Sequence, residues 1–388
     1  MRYLRADEEP PGVVVLYNQT EQLVKGEARD ILAEQGVVQC AGAVAEALGS
    51  AGHRVVLVPI CGNVEAALAP YSPTEWVIFN LGEGLDGRLL EEVRIAWALE
   101  AMGYRFTGSD AEALAWSTHK ARAKAILQAG GVATPAWWVF RDPREVGGAG
   151  EVLGFPLIVK PVAEDASLGI DLGAVVHDER ALRERVGYVV RHYRQAALAE
   201  QFIAGREFNL SIWGDPPELL PMAEVKFDGI SDLFEQIVSF AAKWQPESFA
   251  YWHTPVICPA QVSPELEARL RATVLRAWEV MGCRGYARVD LRVDAEGTPY
   301  VIEVNCNPDL SPDAGFFRAA STAGYDYVSM VTRILEFAME SDYLYEYHYS
   351  SKRGRRRADP KDRRQGWRVQ TWRCGLRSGV VGELPAQR

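Results

Sequence analysis

Apolar β-branched runs separated by amphipathic stretches recur through the first hundred residues. Residues 13–17, 54–58 and 76–79 read as strands, and 36–48 and 88–102 as helices. The second helix carries Leu89, Val93, Ala96, Trp97 and Glu100 near i, i+4, i+8 spacing. A short strand at 104–107 follows. Strands alternating with helices imply βαβ units and a parallel sheet. No GxGxxG follows the first strand, so a dinucleotide site is not indicated.

Two helical stretches are predicted within 111–129, broken near Ser117-Thr118 and closed by Gly130-Gly131. Residues 155–162, 196–203, 207–213 and 219–227 read as strands. Residues 228–259 have weak periodicity and many aromatics, which marks a long functional loop with short structured pieces. Residues 264–281 form an amphipathic helix, 286–293 and 298–305 a hairpin around Asp294-Ala295-Glu296-Gly297, and 325–340 a closing helix. No solenoid-type repeat is present.

Composition adds two asymmetries. Of 388 residues, 48% are hydrophobic and 24% charged, with 42 Lys+Arg against 52 Asp+Glu, which is globular and argues against a generic nucleic-acid-coating protein. Residues 351–388 hold 12 Lys+Arg and 3 Asp+Glu, a net +9, so the preceding 350 residues stand at −19. This tail reads as solvated disorder or as an arm for an anionic partner. Only eight cations are lysine, six of them before the tail: Lys25, Lys120, Lys124, Lys160, Lys226 and Lys243. The start has no apolar signal-type segment, and no run approaches the ~18 residues that span a bilayer. Six scattered cysteines without a CxxC suit reduced thiols in a cytoplasmic protein.

The hairpin concentrates candidate chemistry. Arg288, Asp290 and Arg292 alternate along its first strand, Glu303 and Asn305 along its second. A four-residue turn pairs Val293 with Thr298 and sets Arg288 opposite Glu303. Two carboxylates and an amide oxygen are hard ligands suited to Mg²⁺, with Arg288 placed for an anion; a solvated salt-bridge face fits the same pattern. Lys160 ends an apolar strand and is followed by Pro161, natural for a ligand-facing strand. Lys120 opens a helix, and Lys243 lies in the aromatic loop. His119, His192 and His253 read as structural, Trp137-Trp138 as core and strand edge, and Cys306 as a packing residue.

These segments, in order and spacing, carry a resemblance. They are Gly108-Ser109-Asp110 with Lys120, Phe155 to Pro161, Ser167-Leu168-Gly169-Ile170, Glu200 to Glu207, Ala242-Lys243-Trp244, Ala287 to Asp290 and Glu303 to Pro308. Over roughly residues 75–340 the chain resembles the ATP-grasp superfamily, specifically D-alanine–D-alanine ligase and its relatives. The resemblance implies an α/β (α+β grasp) fold. An N-terminal parallel βαβ domain (1–107) would precede a central subdomain (108–198), a C-terminal subdomain with the metal site (199–345) and the basic tail (346–388).

It also implies ATP between two sheets. Lys120 and Lys160 would contact its phosphates and adenine side, Ser167 and Gly169 the phosphates, Glu200, Gln201 and Ile203 the adenine edge, and Glu207 the ribose. Lys243 would reach the γ-phosphate, Asp290, Glu303 and Asn305 would bind two Mg²⁺ (or Mn²⁺), and Arg288, with Ser167, would be catalytic. The implied activity joins a carboxylate to an amine through an acyl phosphate, under a lid that includes part of 228–259. A non-catalytic ATP-binding protein with a regulatory or adaptor role is the alternative. Expected partners are amino acid or carboxylate substrates, with no membrane, no nucleic acid except through the tail, and a homodimer allowed. The sequence departs from the ligase pattern in two places. Glu164 and Asp165 enter the phosphate loop, and Asp309 replaces a glycine while the acceptor-binding serine has no counterpart, which argues against D-alanine as acceptor. Asp30 is a loose match to the glutamate that holds the first substrate.

Overall fold

The computed structural model describes residues 10–19, 25–84 and 90–340. The expectations for the chain start, for the beginning of the helix at 88–102 and for the basic tail lie outside the described residues. Strand β1 (Gly12–Asn18) sits between β2 (Val55–Ile60) and β3 (Trp76–Leu81) in a parallel sheet. Val13, Val14, Val15 and Leu16 are all buried, as a strand covered on both faces requires. Helix α1 (Ile31–Ser50) connects β1 to β2, with α2 (Val64–Leu68) before β3 and α3 (Glu91–Met102) after it. The strand expected at 104–107 reduces to one parallel bridge, Phe106 to Ile78. Helix α1 begins at Ile31 rather than Gly36, because Glu27 and Asp30 cap a single 3-10 turn that feeds into it.

Helices α4 (Ala111–Ser117) and α5 (Lys120–Ala129) break where expected. Asp110 Oδ1 accepts from the Ala113 amide at 2.9 Å, and His119 caps α5. An antiparallel sheet follows, built from β4 (Trp137–Phe140), β5 (Leu157–Pro161), β6 (Val175–Val176) and β7 (Ala197–Gln201) in the order β4-β7-β5-β6. Two helices accompany it, α6 (Ala149–Leu153) and α7 (Glu179–Tyr193). Sequence reading passes over α7, whose charged surface hides a stripe of Leu182, Val186, Val189 and Tyr193.

The third sheet holds β8 (Arg206–Trp213), β9 (Glu218–Leu219), β10 (Ala223–Val225), β11 (Val256–Ile257), β12 (Tyr286–Val293) and β13 (Pro299–Asn305). The single strand expected at 219–227 is two, parted around Pro221, which has no N–H to give a ladder. Between β10 and β11 lie α8 (Phe240–Trp244) and α9 (Phe249–Trp252), so the long loop does contain short structured pieces. The remaining helices are α10 (Pro264–Met281), α11 (Gly315–Thr322), unforeseen, and α12 (Tyr327–Glu340).

The hairpin register differs from the expected one. Asp294 and Thr298 close the turn through the Thr298 amide on Asp294 Oδ1 at 2.8 Å, so Val293 pairs with Pro299. A bulge between Asp290 and Leu291 then shifts the ladder again. Asp290 faces Glu303, and Arg288 faces Asn305 rather than Glu303. All four still share one face.

One core joins the first strands to the last described helix. Val13, Val15 and Phe79 of the parallel sheet cluster with Met330, Ile334 and Leu335 of α12, and with Trp213. Trp213, 2% exposed, packs edge-on against Phe316, Tyr325 and Phe337 with ring centroids 4.9–6.1 Å apart. No helix among the described residues is long and apolar enough to cross a membrane. Trp213→Ala should lower the unfolding free energy by about 3–5 kcal/mol, read by urea titration. A loss below about 1 kcal/mol would show that this cluster does not hold the first strands to the last described helix.

Candidate active site

A cavity of about 560 Å³ lies between the antiparallel four-stranded sheet and the sheet of β8, β12 and β13. Its floor is a row of paired polar side chains on β8 and β12. Arg292 Nε donates to Glu207 at 3.0 Å, Asn209 Nδ2 to Asp290 at 2.9 Å, and Arg288 grips Asp290 with two bonds of 2.8 Å. Alternation along β8 and β12 puts these polar groups on one face, while Phe208, Leu210, Val289 and Leu291 fill the core behind.

The opposite wall is cationic and buried. Lys160 and Lys124 both pair with Glu200, which is 1% exposed. Thr134 accepts from Lys124 at 2.7 Å. Burial works to raise the Glu200 carboxyl, but Lys124 and then Lys160 hold it below its ordinary value. Burial brings Lys124 down to about 8, opposed by Glu200 and assisted by Lys160. Lys120 reaches Asp165 at 3.0 Å and also pairs with Glu303 on β13. Burial disfavours the Lys120 ammonium, yet these two acids keep it charged.

The loop 163–170 forms the lip. Its two acids do not confront a phosphate unpaired: Glu164 pairs with Lys25 and accepts from Gln195, and Asp165 pairs with Lys120. Ala166 (φ +55°) and Ser167 (φ +61°) take the left-handed conformation, strained for residues with a Cβ. Two bonds from the far side hold them, Trp244 Nε1 to Ala166 O and Ser167 Oγ to Val238 O, both 2.9 Å.

A second cavity, about 170 Å³, opens beside the first. Lys243, Trp244, Arg288, Glu303 and Asp309 line both. It continues toward Cys40, Glu83, Glu92, Asn305 and Asn307. Burial, then Arg288, lowers the Lys243 ammonium, and Asp309 opposes this. Burial keeps Glu92 well above the ordinary carboxylate range, with Asp165 and Glu83 adding to it.

Residues 126–336, more than half of the chain, match the family described as D-ala D-ala ligase C-terminus. The chain belongs to the D-alanine–D-alanine ligase family. Curated relatives agree. An uncharacterized protein y4sG of Sinorhizobium fredii is 33% identical over 305 residues, covering 77% of this chain and 87% of its own length. The D-alanine–D-alanine ligase of Nitrosospira multiformis is 34% identical over 254 residues, 66% of this chain and 78% of that enzyme. The crystal structure of D-alanine–D-alanine ligase from Bacillus anthracis complexed with ATP superposes with a TM-score of 0.65 at 21% identity, covering 87% of this chain and 99% of that one, which shows the shared fold. The fold is thus the ATP-grasp one, with an N-terminal parallel sheet and two lobes, and the family's general chemistry is carboxylate–amine ligation with a nucleotide.

Within this ATP-grasp frame the larger cavity gathers Lys120, Lys160, Ser167, Glu200, Gln201, Ile203, Glu207, Lys243, Arg288, Asp290 and Glu303. Asn305 lines the smaller one. Gly169 lines neither; its φ of +72° and its closeness to Pro161 and Tyr193 make it a turn residue. Asp30 also lines neither, and accepts from Tyr193 at 3.2 Å and from the Glu27 amide at 2.8 Å. The donors at Asp290, Glu303 and Asn305 are hard oxygens, as a divalent ion next to phosphates requires. Among the described residues no group of three or more His, Cys, Asp or Glu is placed to hold a metal, so any ion here relies on the amide and on ligand oxygens. His119, His192 and His253 serve as cap or ring-packing partners, and Cys306 lies 3.5 Å from Cys283. Lys124 and Asn307 were given no role by the sequence, and Arg292 was placed on the hairpin's polar face without one, although the rarity of lysine marked Lys124 as well as the others.

Replacing Glu200 with Gln strands two buried ammonium groups and should cost about 3–5 kcal/mol in urea unfolding. The sign in acid follows from the depressed carboxyl. Its stabilisation is present above the ordinary value of 4.5 and lost as pH falls through the lower folded value. Glu200→Gln should therefore lose less stability than the native chain on acidification from that point; matching acid limbs would contradict the assignment.

Proposed function

We infer that this protein is an ATP-dependent ligase that joins a carboxylate to an amine other than D-alanine through an acyl phosphate. The observation that carries this is the meeting of the two cavities at Lys243, Arg288 and Asp309. A phosphoryl donor in the larger and a carboxylate in the smaller would meet there. A carboxylate is a poor electrophile, and transfer of the γ-phosphoryl group makes its carbon open to attack. Lys120, Lys160 and Lys243 would hold the phosphates, Glu207 the ribose and Gln201 the base edge. Asp290, Glu303 and Asn305 would hold Mg²⁺, which when bound neutralises phosphoryl oxygens. Arg288, turned toward the junction by its grip on Asp290, would draw charge on the acyl oxygen.

The acceptor reading rests on Asp309. Its carboxylate replaces the small residue of the ligase pattern and lines both cavities, which disfavours an acceptor that brings a carboxylate to that point. The five described cysteines are all unpaired, in keeping with a reducing, cytoplasmic setting.

The test is a phosphate-release screen with ATP, Mg²⁺ and pairs of carboxylates and amines in both chiralities, with hydroxylamine present to trap the acyl phosphate. Turnover with amines other than D-alanine is expected. Lys243→Met should reduce hydroxamate formation by about 10²–10³-fold. Tight ATP binding with no turnover or hydroxamate from any pair would favour the non-catalytic reading.

A further inference from the structure

The smaller cavity has two ends. Lys243, Arg288 and Asp309 line both cavities and mark the junction. Asn18 at the end of β1, Glu83 after β3, and Leu90 and Glu92 at the start of α3 line the smaller one alone. These come from the N-terminal sheet and its helix, whereas the junction groups come from α8, β12 and the segment after β13. A molecule whose carboxylate lies at the junction therefore points its other end toward Glu92. That side chain is 8% exposed. Its Oε2 accepts from the Thr118 hydroxyl at 3.2 Å. Its Oε1 has no hydrogen-bond partner among the described residues, yet keeps surface on the cavity. No Lys, Arg or His among the described residues pairs with it. The groups that act on its charge most strongly are Asp165 of the lip and Glu83, both acids, and then the Cys306 thiol. Burial, with these neighbours, keeps the carboxyl well above its ordinary value, so it holds its proton unless a positive charge comes to it.

We propose that Glu92 recognises a positively charged group on the carboxylate substrate, remote from the carboxylate that is activated, so that this substrate belongs to the diamino or ω-amino acids. This rests on the ligase reading and names the substrate class of the same cavity. Asp30, the loose match to the glutamate that holds the first substrate, lines neither cavity, so Glu92 is a separate group.

Charge compensation decides the class. The substrate's carboxylate meets Lys243 and Arg288 at the junction. An ammonium buried at the other end needs an anion of its own. Three further acids of this cavity are already held by cations of the protein: Glu91 by Arg94 at 2.6 Å, Glu164 by Lys25, and Asp165 by Lys120 at 3.0 Å. Glu92 is not. As the ammonium arrives, Glu92 gives up its proton to water and Oε1 accepts from the ammonium, while the Thr118 bond stays on Oε2. An uncharged substrate of the same length leaves Glu92 neutral and gains contact alone. An anionic group there would face Glu83 and Asp165 and be rejected.

The experiment measures hydroxamate formation from ATP, Mg²⁺, hydroxylamine and one carboxylate at a time, in the full-length native chain, Glu92→Gln and Glu83→Gln. The carboxylates are paired by length: ornithine with norvaline, lysine with norleucine, and 5-aminopentanoate with pentanoate, the amino acids in both chiralities. Alanine with propionate reports a cation at Cα alone. In the native chain kcat/KM should favour the charged member of at least one length-matched pair by about tenfold or more, and by more than alanine is favoured over propionate. This ratio tests the proposal without any variant. Glu92→Gln keeps the shape of the neutral acid and can still accept from Thr118, so its urea midpoint should be native while the preference falls to about one. A native chain that favours the uncharged member of every length-matched pair, or a preference confined to alanine over propionate, would overturn the assignment. So would a preference kept in Glu92→Gln, or one lost in Glu83→Gln instead. Hydroxamate from the uncharged members alone would overturn this inference and leave the ligase reading standing. Absence of hydroxamate from every carboxylate would remove both.

Discussion

Lys120 is the point on which the two walls of the cleft turn. It opens α5, lies 5% exposed, and pairs with Asp165 of the lip and with Glu303 of the opposite sheet. A lone buried ammonium is untenable in so dry a place, and a lone buried carboxylate equally so. Each therefore needs the other to arrive from a different part of the chain. The same rule repeats at Glu200 between Lys124 and Lys160, and at Glu207 against Arg292. Among these pairs, Lys120 with Glu303 is the one that spans the two sheets, while the Glu200 pairs and the Glu207–Arg292 pair each brace one side.

This arrangement leaves room for exchange. In the structure the acids that would take a divalent ion are engaged by cations of the protein, Asp290 by Arg288 and Glu303 by Lys120. An ion would take over the acids while the freed Lys120 and Arg288 could turn to phosphate oxygens, so no group need be left unpaired.

Much of this was legible in the sequence, for identifiable reasons. The short alternating strands around Asp290 and Glu303, the break at Ser117-Thr118 and the helix at Pro264–Met281 depend on local periodicity and caps, which a single chain displays. The hairpin register was not legible, because it turns on which residue pair closes the loop and on one bulge, and both are tertiary choices. Helix α7 was lost behind its charges, since four buried apolar residues in fifteen suffice when the sheet beneath is apolar. Lysine rarity pointed toward the cleft: of the six before the tail, Lys25, Lys120, Lys160 and Lys243 line one cavity or the other, while Lys226 pairs with Glu224. What rarity could not reveal was that Lys124 serves Glu200 from behind, out of reach of either cavity.

The left-handed pair Ala166-Ser167 has a consequence for the order of events. Trp244 and the Val238 carbonyl hold them from across the cleft, while within the loop the Leu168 and Ile170 amides donate to the Asp165 and Ser167 carbonyls. Closing the lip is then uphill locally and is sustained from across the cleft. Loss of those two bonds would let the lip leave its left-handed turn without any further force.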